Sequence, residues 1–225
     1  MTEAATEPMP EPVTEAKLLA VSVGRPRTID RNGQEATTAI WKAPVDGPVL
    51  AAGVNLAGDD QADRSVHGGY DKAIYSYADE DRRWWEAELG QPVELGGFGE
   101  NLTTVGIDLG RARIGERWRV GAALLEVSEP RIPCWKLNRR MDDRRFIQRF
   151  TAAGRPGSYL RIVEEGELQA GDPITVVHVP DHDLTIGEVA ETYRERDRAG
   201  AERMLAVEAV SEGWKGWARE LLERS

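Results

Sequence analysis

The stretch RWRVGAALLEVSEPRIPCWKLN, residues 117–138, sets the terms on which the rest of the chain is read. Its first eleven residues, 117–127, gather Val, Leu and Ala around Trp118 and predict a β-strand. Pro130 and Pro133 each fix φ and restrict the residue before them, so the chain leaves the strand as a stiff loop. That loop carries Cys134, the only cysteine of the chain, with Arg131 and Lys136 close by. Nearby positive charge favours the thiolate, and a thiolate serves as a nucleophile, a persulfide carrier or a ligand for a soft metal. The competing role is that of a buried apolar filler, the common fate of a single cysteine.

Working outward, residues 17–23, 48–54, 72–78, 158–163 and 172–179 are also rich in Val, Ile, Leu and Tyr and are separated by Gly, Pro, Asp and Asn. Many short strands with Gly-rich turns predict a mainly β fold with some α, a β-barrel or rolled sheet. Two helices are predicted to interrupt it. DEDRRWWEAELG, 79–90, has an acidic first turn and a glycine stop; DDRRFIQRFTAAG, 142–154, places Phe146, Ile147 and Phe150 on one face. Beyond Pro180 the pattern becomes helical. Thr185 and Glu188 have capping-box spacing, followed by a stripe of Ile186, Val189, Ala190 and Tyr193. AERMLAVEAV predicts a second short helix. In SEGWKGWARELLER, Trp214, Trp217, Ala218, Leu221 and Leu222 form an amphipathic face. The expected division is an acidic, Pro/Glu-rich disordered leader over 1–15, a barrel domain over 16–180 and a three-helix domain over 183–225. The last is too small to be very stable alone and is expected to dock on the barrel or on a partner.

Composition excludes several classes. A net charge of −10 over 225 residues argues against nucleic acid or acidic membrane as a partner, since both need a basic face. No apolar run reaches the length of a membrane span, and the start lacks the layout of a signal peptide. One cysteine forms no internal disulfide, which suits a reducing cytoplasm. One cysteine with His67, His178 and His182 also rules out a Cys-rich zinc site or a Cys-held iron–sulfur cluster. His178 and His182 flank Pro180 and share no helix face.

Two further segments carry candidate chemistry. In DDQADRSVHGGYDKAIYSY, 59–77, Gly68 and Gly69 allow close backbone approach to a ligand, with His67 and Lys72 on either side. In GGFGENLTT, 96–104, Gly96, Gly97 and Gly99 are expected to leave backbone N–H groups for an anion nest, while Glu100 and Asn101 offer directed hydrogen bonds. Neither segment has the P-loop or dinucleotide fingerprint.

Taken in order, VHGGYDKAIYSY, FGENLTTVGI, IGERWRVGAALLEVSEPRIPCWKL and GSYLRIVEEGELQAGDPI resemble the MOSC family, named for the C-terminal domain of molybdenum-cofactor sulfurases. The resemblance is strongest to its YiiM-like bacterial branch, which also ends in three helices, and it runs from Lys17 to the C-terminus. One departure is Glu129, where a glutamine is expected. The resemblance implies a MOSC-type β-barrel binding the molybdenum cofactor (molybdopterin), with Cys134 as the catalytic molybdenum ligand. It implies a wall around pterin and phosphate made by Arg131, Lys136, Lys72 and His67, with Gly68, Gly69, Gly99, Glu100 and Asn101 framing the cofactor. Lys42 and Arg25 are further phosphate candidates, and Asp60 and Asp63 are candidates to hold a cation in place. The implied activity is a cytoplasmic, detoxifying oxidoreductase acting on small N-hydroxylated substrates such as hydroxylaminopurine-like bases. A separate flavin-containing reductase would be its electron donor. Two alternatives stay open: a sulfurtransferase with a persulfide on Cys134, and a non-catalytic cofactor carrier. For the C-terminal helices, closing the barrel mouth, forming a homodimer and docking the electron donor all remain open.

Overall fold

The computed structural model describes residues 15–31, 33–61 and 68–224; the expected leader, apart from residue 15, lies outside them. The described chain opens with β1 (Lys17–Val23), β2 (Arg27–Arg31), β3 (Gln34–Thr38), β4 (Ala43–Pro44), β5 (Val49–Ala52) and β6 (Asn55–Leu56). A single 3-10 turn over Tyr70–Lys72 leads into β7 (Ile74–Ala78) and α1 (Asp79–Leu89). Then come β8 (Leu102–Val105), β9 (Arg117–Val120), β10 (Ala123–Pro130), α2 (Trp135–Arg140) and α3 (Phe146–Ala153). The remainder is β11 (Ser158–Glu164), β12 (Gly166–Leu168), β13 (Ile174–His178), α4 (Ile186–Glu195), α5 (Arg198–Ala206) and α6 (Glu212–Glu223).

The fold is mixed α and β around one large sheet, in the order β13-β9-β10-β11-β7-β8-β1-β4. Residues 117–127, expected as one strand, are a hairpin instead. Val120 pairs with Ala123 across a turn at Gly121, whose φ is +56°. A Cβ there would lie 2.5 Å from the Glu167 carbonyl oxygen, so the turn needs glycine on both counts. Every pairing in the large sheet is antiparallel except β7 with β8. Parallel neighbours need a crossover, and α1 supplies it. The sheet rolls until the start of β1 meets the start of β13. Lys17 bridges Pro173, the Leu18 amide donates to the Asp172 carbonyl at 2.9 Å, and the Ile174 amide donates to the Ala16 carbonyl at 2.8 Å. The seam is this bridge and its neighbouring bonds rather than a strand ladder, so the expected barrel takes the form of a rolled sheet.

Strand alternation sorts side chains into two layers. In β7, Ile74 and Ala78 point into the roll with Trp118, Leu125 and Leu160, while Tyr75 and Tyr77 point outward. The outward rings meet Trp85 of α1, Phe98, and Phe146 and Phe150 of α3. The Trp85 indole donates to the Tyr77 hydroxyl at 2.9 Å, satisfying a polar group that burial would otherwise leave costly. Full burial of such apolar side chains contributes about 1.5–3 kcal/mol each. β7 is therefore covered on both faces, with Lys72 just before it and Tyr75 within it lining the cavity described below.

The expected capping box opens α4: Thr185 Oγ1 accepts from the Glu188 amide at 3.2 Å, and Glu188 Oε2 accepts from the Thr185 amide at 2.9 Å. Leu184, Ile186, Val189, Met204, Val210 and Trp214 share the inner core with the sheet. The Ile186 and Gly187 amides donate to the Ala112 and Gly110 carbonyls. Among the described residues, no helix is long and apolar enough to cross a membrane.

Candidate functional site

The site begins where β10 ends. A register shift between Val127 and Glu129 bulges this strand against β11, and a bulge re-aims the side chains beside it. Ser128 Oγ then donates to the Asp71 carbonyl at 2.5 Å, and Glu129 Oε2 accepts from Ser211 Oγ at 2.8 Å. After Pro130 the stiff loop runs to Cys134, which stands half-buried immediately before α2.

Cys134 lines a cavity of about 100 Å³ into which Lys42, Lys72, Arg131 and Lys136 also face. Four cations around one thiol stand out in a chain of net charge −10. Lys42 is held by Asp59, at 2.5 Å to each carboxylate oxygen, with both side chains nearly buried. Burial lowers the Lys42 ammonium from its ordinary range, against the pull of Asp59. Lys72 lies 3.5 Å from Glu129, so the departure from glutamine puts a carboxylate against a site cation. Burial raises the Glu129 carboxyl from its ordinary value, opposed by Lys72 and Ser211. Arg131 is 7% exposed. It donates to the Phe98 carbonyl, and its guanidinium sits 4.6 Å over the Tyr75 ring. Among the described residues, no carboxylate lies within ion-pair distance of Arg131 or Lys136. The cationic surplus of the cavity therefore sits beside the cysteine, where it favours a thiolate or an anionic ligand.

The glycine-rich loop corrects an expectation. Its nest exists, but the anion in it is the protein's own. The Gly96 and Phe98 amides donate to Glu100 at 2.7 and 3.0 Å, the Gly97 amide to the Glu94 carbonyl, and the Gly99 amide to the Gly96 carbonyl. Glu100 is fully buried and does not face the cavity; burial raises its carboxyl while these N–H groups pull it down. Asn101 does face the cavity, yet its amide is spent on the fold. Its oxygen accepts from the Tyr75 amide, and its nitrogen donates to Asp59 and to the Ser22 carbonyl. Gly99 lines the cavity with φ +81° and passes so close to Ile40 that a Cβ would lie 2.7 Å from Ile40 Cγ1.

Gly68 and Gly69 shape the approach to Lys72. The Gln61 amide nitrogen donates to the Val54 and Lys72 carbonyls, and its oxygen accepts from the Gly69 amide. A Cβ on Gly68 would collide with that side chain, and Gly69 has φ +93°. His67 and Asp63 lie outside the described residues. Asp60 lines the cavity beside Asp59, the carboxylate that pairs with Lys42. Arg25 is exposed and away from the cavity. Sequence reasoning did not single out Asp59, Gln61, Tyr75 or Tyr159, all of which line it.

The profile of the MOSC domain family matches residues 63–175. The chain is 33% identical over 192 residues to the protein YiiM of Escherichia coli (strain K12), covering 83% of this chain and 84% of that one. It is 35% identical over 196 residues to a protein named "Reductase" from Gibberella moniliformis, covering 85% of this chain but 34% of that longer protein. The crystal structure of YiiM from Geobacillus stearothermophilus superposes with a TM-score of 0.77 at 28% identity, covering 92% of this chain and 99% of that one. In sequence and in fold, the chain belongs to the MOSC domain family.

Proposed function

We propose that this protein holds a molybdenum–pterin cofactor at Cys134 and reduces N-hydroxylated compounds with electrons from a separate flavin reductase. The observation that carries this reading is one thiol on a cavity wall where Arg131 and Lys136 leave a cationic surplus. Membership of a family associated with this cofactor supports it. So does the similarity to the Gibberella protein named a reductase.

The residues fit such a group. A thiolate is a soft donor, suited to a metal already bound to sulfur. Arg131 and Lys136 match a phosphate. Among the described residues, no cluster of three or more His, Cys, Asp or Glu side chains could cage a metal, so a metal here would bring most of its donors on an organic ligand. The volume of about 100 Å³ is below the roughly 300–1,000 Å³ of pockets that enclose a drug-sized ligand; it suits one end of such a group.

When bound, the cofactor supplies the electron-transfer and oxygen-removal chemistry. This chain's share is positioning. Cys134 presents its sulfur from a loop stiffened by two prolines. Arg131, anchored by the Phe98 carbonyl and the Tyr75 ring, holds negative charge at a fixed place. Asp59 keeps Lys42 aimed, and Asn101 keeps Asp59 aimed.

The test is metal and pterin analysis of protein made in a cofactor-competent host. One molybdenum per chain is expected, lost in Cys134→Ala with thermal unfolding unchanged. Loaded protein with a flavin reductase is expected to reduce an N-hydroxylated base. Sulfane sulfur on Cys134 without molybdenum would overturn the reading in favour of persulfide transfer, and a loaded but inert protein would leave a carrier.

A further inference from the structure

The chain carries a net charge of −10, yet its cations are not spread evenly. From Arg131 to Arg155 the sequence holds eight cationic side chains against two acidic ones, Asp142 and Asp143. These residues form the loop of Cys134, then α2, α3 and the turn between them. The hairpin of β2 and β3 adds arginines to the same surface. Arg31 places its guanidinium 4.7 Å over the Trp135 ring at the start of α2. Arg27 lies 3.5 Å over Trp41, and desolvation with the charge of Arg140 lowers its guanidinium from the ordinary value. Hairpin and α2 together wall a cleft of about 630 Å³.

Much of this charge is unspent. Arg140 reaches Glu94 at 3.2 Å, Arg149 reaches Asp143 at 3.1 Å, and Arg155 pairs with Asp81. Among the described residues, no carboxylate lies within ion-pair distance of Arg27, Arg31, Arg139, Arg144 or Arg145, and all five are exposed. The patch is also bounded. Asp30, Asp142 and Asp143 line the cleft beside its cations, and the chain outside the patch carries the excess acid. An extended polyanion or a flat anionic bilayer would overrun the patch onto repelling surface. The compact acidic face of a folded protein would not. Trp135, half-buried among these arginines, adds the residue type that with arginine dominates protein interfaces.

We infer that the face made by the β2–β3 hairpin and α2 docks the acidic surface of a partner protein, and that this partner is the one that delivers electrons. The delivery of electrons rests on the reading under Proposed function; the docking does not. Cys134 and Lys136 face the cationic cavity, whereas Trp135 between them faces the cleft. A donor seated in the cleft therefore stands one residue from the thiol without occupying the cofactor's place. A reduced flavin gives up an electron pair and its protons in becoming oxidised, and the N-hydroxyl oxygen leaves with them as water.

The test is titration of the full-length chain with a flavodoxin, a small acidic protein carrying FMN. Saturable binding is expected, weakened at least fivefold between about 0.01 M and 0.15 M salt, as the screening length falls from about 30 to about 8 Å. Arg139→Glu with Arg144→Glu is expected to weaken it at least tenfold, and Arg31→Glu on the hairpin at least threefold. Arg219→Glu with Arg224→Glu makes the same change of net charge on and just beyond α6 and should alter affinity less than twofold. In loaded protein, the Arg139 and Arg144 reversals should raise the flavodoxin concentration needed for half-maximal turnover at least tenfold and leave turnover with dithionite unchanged. No saturable binding, affinity indifferent to these arginines, or tighter binding of heparin or phosphatidylglycerol vesicles through them overturns the inference. Flavodoxin bound through these arginines by native-source protein without molybdenum would sink the proposed function and leave the docking face standing. Loaded protein whose turnover with flavodoxin ignores the reversals would do the opposite.

Discussion

The cavity walled by Lys42, Arg131 and Lys136 and the cavity walled by Tyr193, Trp214 and Trp217 share three residues but differ in what holds their walls. On the cationic side, buried polar groups position one another: Asn101 holds Asp59, Asp59 holds Lys42, and Glu100 holds the glycine loop whose Phe98 carbonyl receives Arg131. Such networks are rigid when complete and costly when broken. On the aromatic side, the three rings rest on one another, and ring contacts are soft and individually small. A network of the first kind holds its groups rigidly; a wall of the second kind is easily remodelled.

The contrast predicts a ranking of stability effects. The largest belongs to Asp59→Ala, which leaves Lys42 buried without its counter-ion and is expected to cost about 3–5 kcal/mol, read as a fall in unfolding temperature. A cost below about 1 kcal/mol would break the comparison, because breaking a structural buried pair costs several times that. Next is Glu100→Leu, which strips the Gly96 and Phe98 amides of their acceptor at about 1–3 kcal/mol for each buried group; denaturant titration should show Glu100→Gln to be milder. Third is Tyr193→Ala, which loses its ring contacts with Trp214 and Trp217, about 0.5–1.5 kcal/mol each.

The smallest effect is a pH signature at Glu129. Its carboxyl sits above the ordinary value of 4.5, chiefly through burial. The native state therefore holds this proton more tightly than the unfolded chain does. The resulting stabilisation is full below the unfolded value and is lost as pH rises through the raised one. Glu129→Gln removes the titration, so the wild type should lose stability relative to the variant between pH 4.5 and neutrality. Thermal unfolding of both at pH 4.5 and 7.5 reads the difference, expected to be a few degrees at most, since 1 kcal/mol moves the midpoint by about 2–4 °C in a chain of this size.

The cationic side was far more legible in the sequence than the aromatic side. Cys134, Arg131, Lys136 and Lys72 lie in short blocks whose prolines, glycines and charges advertise a loop, and the structure gathers all four at one cavity. Asp59 was hidden because a carboxylate's partner depends on tertiary approach; nothing local separates it from Asp60. The nest at 96–99 was misjudged although its answer is local, since Glu100 closes it from one residue away. Tyr193 and Trp217 were read as parts of apolar stripes, and a helical period gives a stripe but not which margin of it meets a cavity. The strands were read well where they are apolar. The hairpin of β2 and β3 was overlooked because RTIDR and QEATT are polar, although the Asn32–Gly33 pair between them is a hairpin signal.

The division of the two walls along the chain has an evolutionary consequence. The cationic wall is encoded between residues 42 and 136, whereas the three rings are encoded at 193, 214 and 217. Substitutions in the last helices can thus reshape the aromatic wall while the cationic wall stays intact.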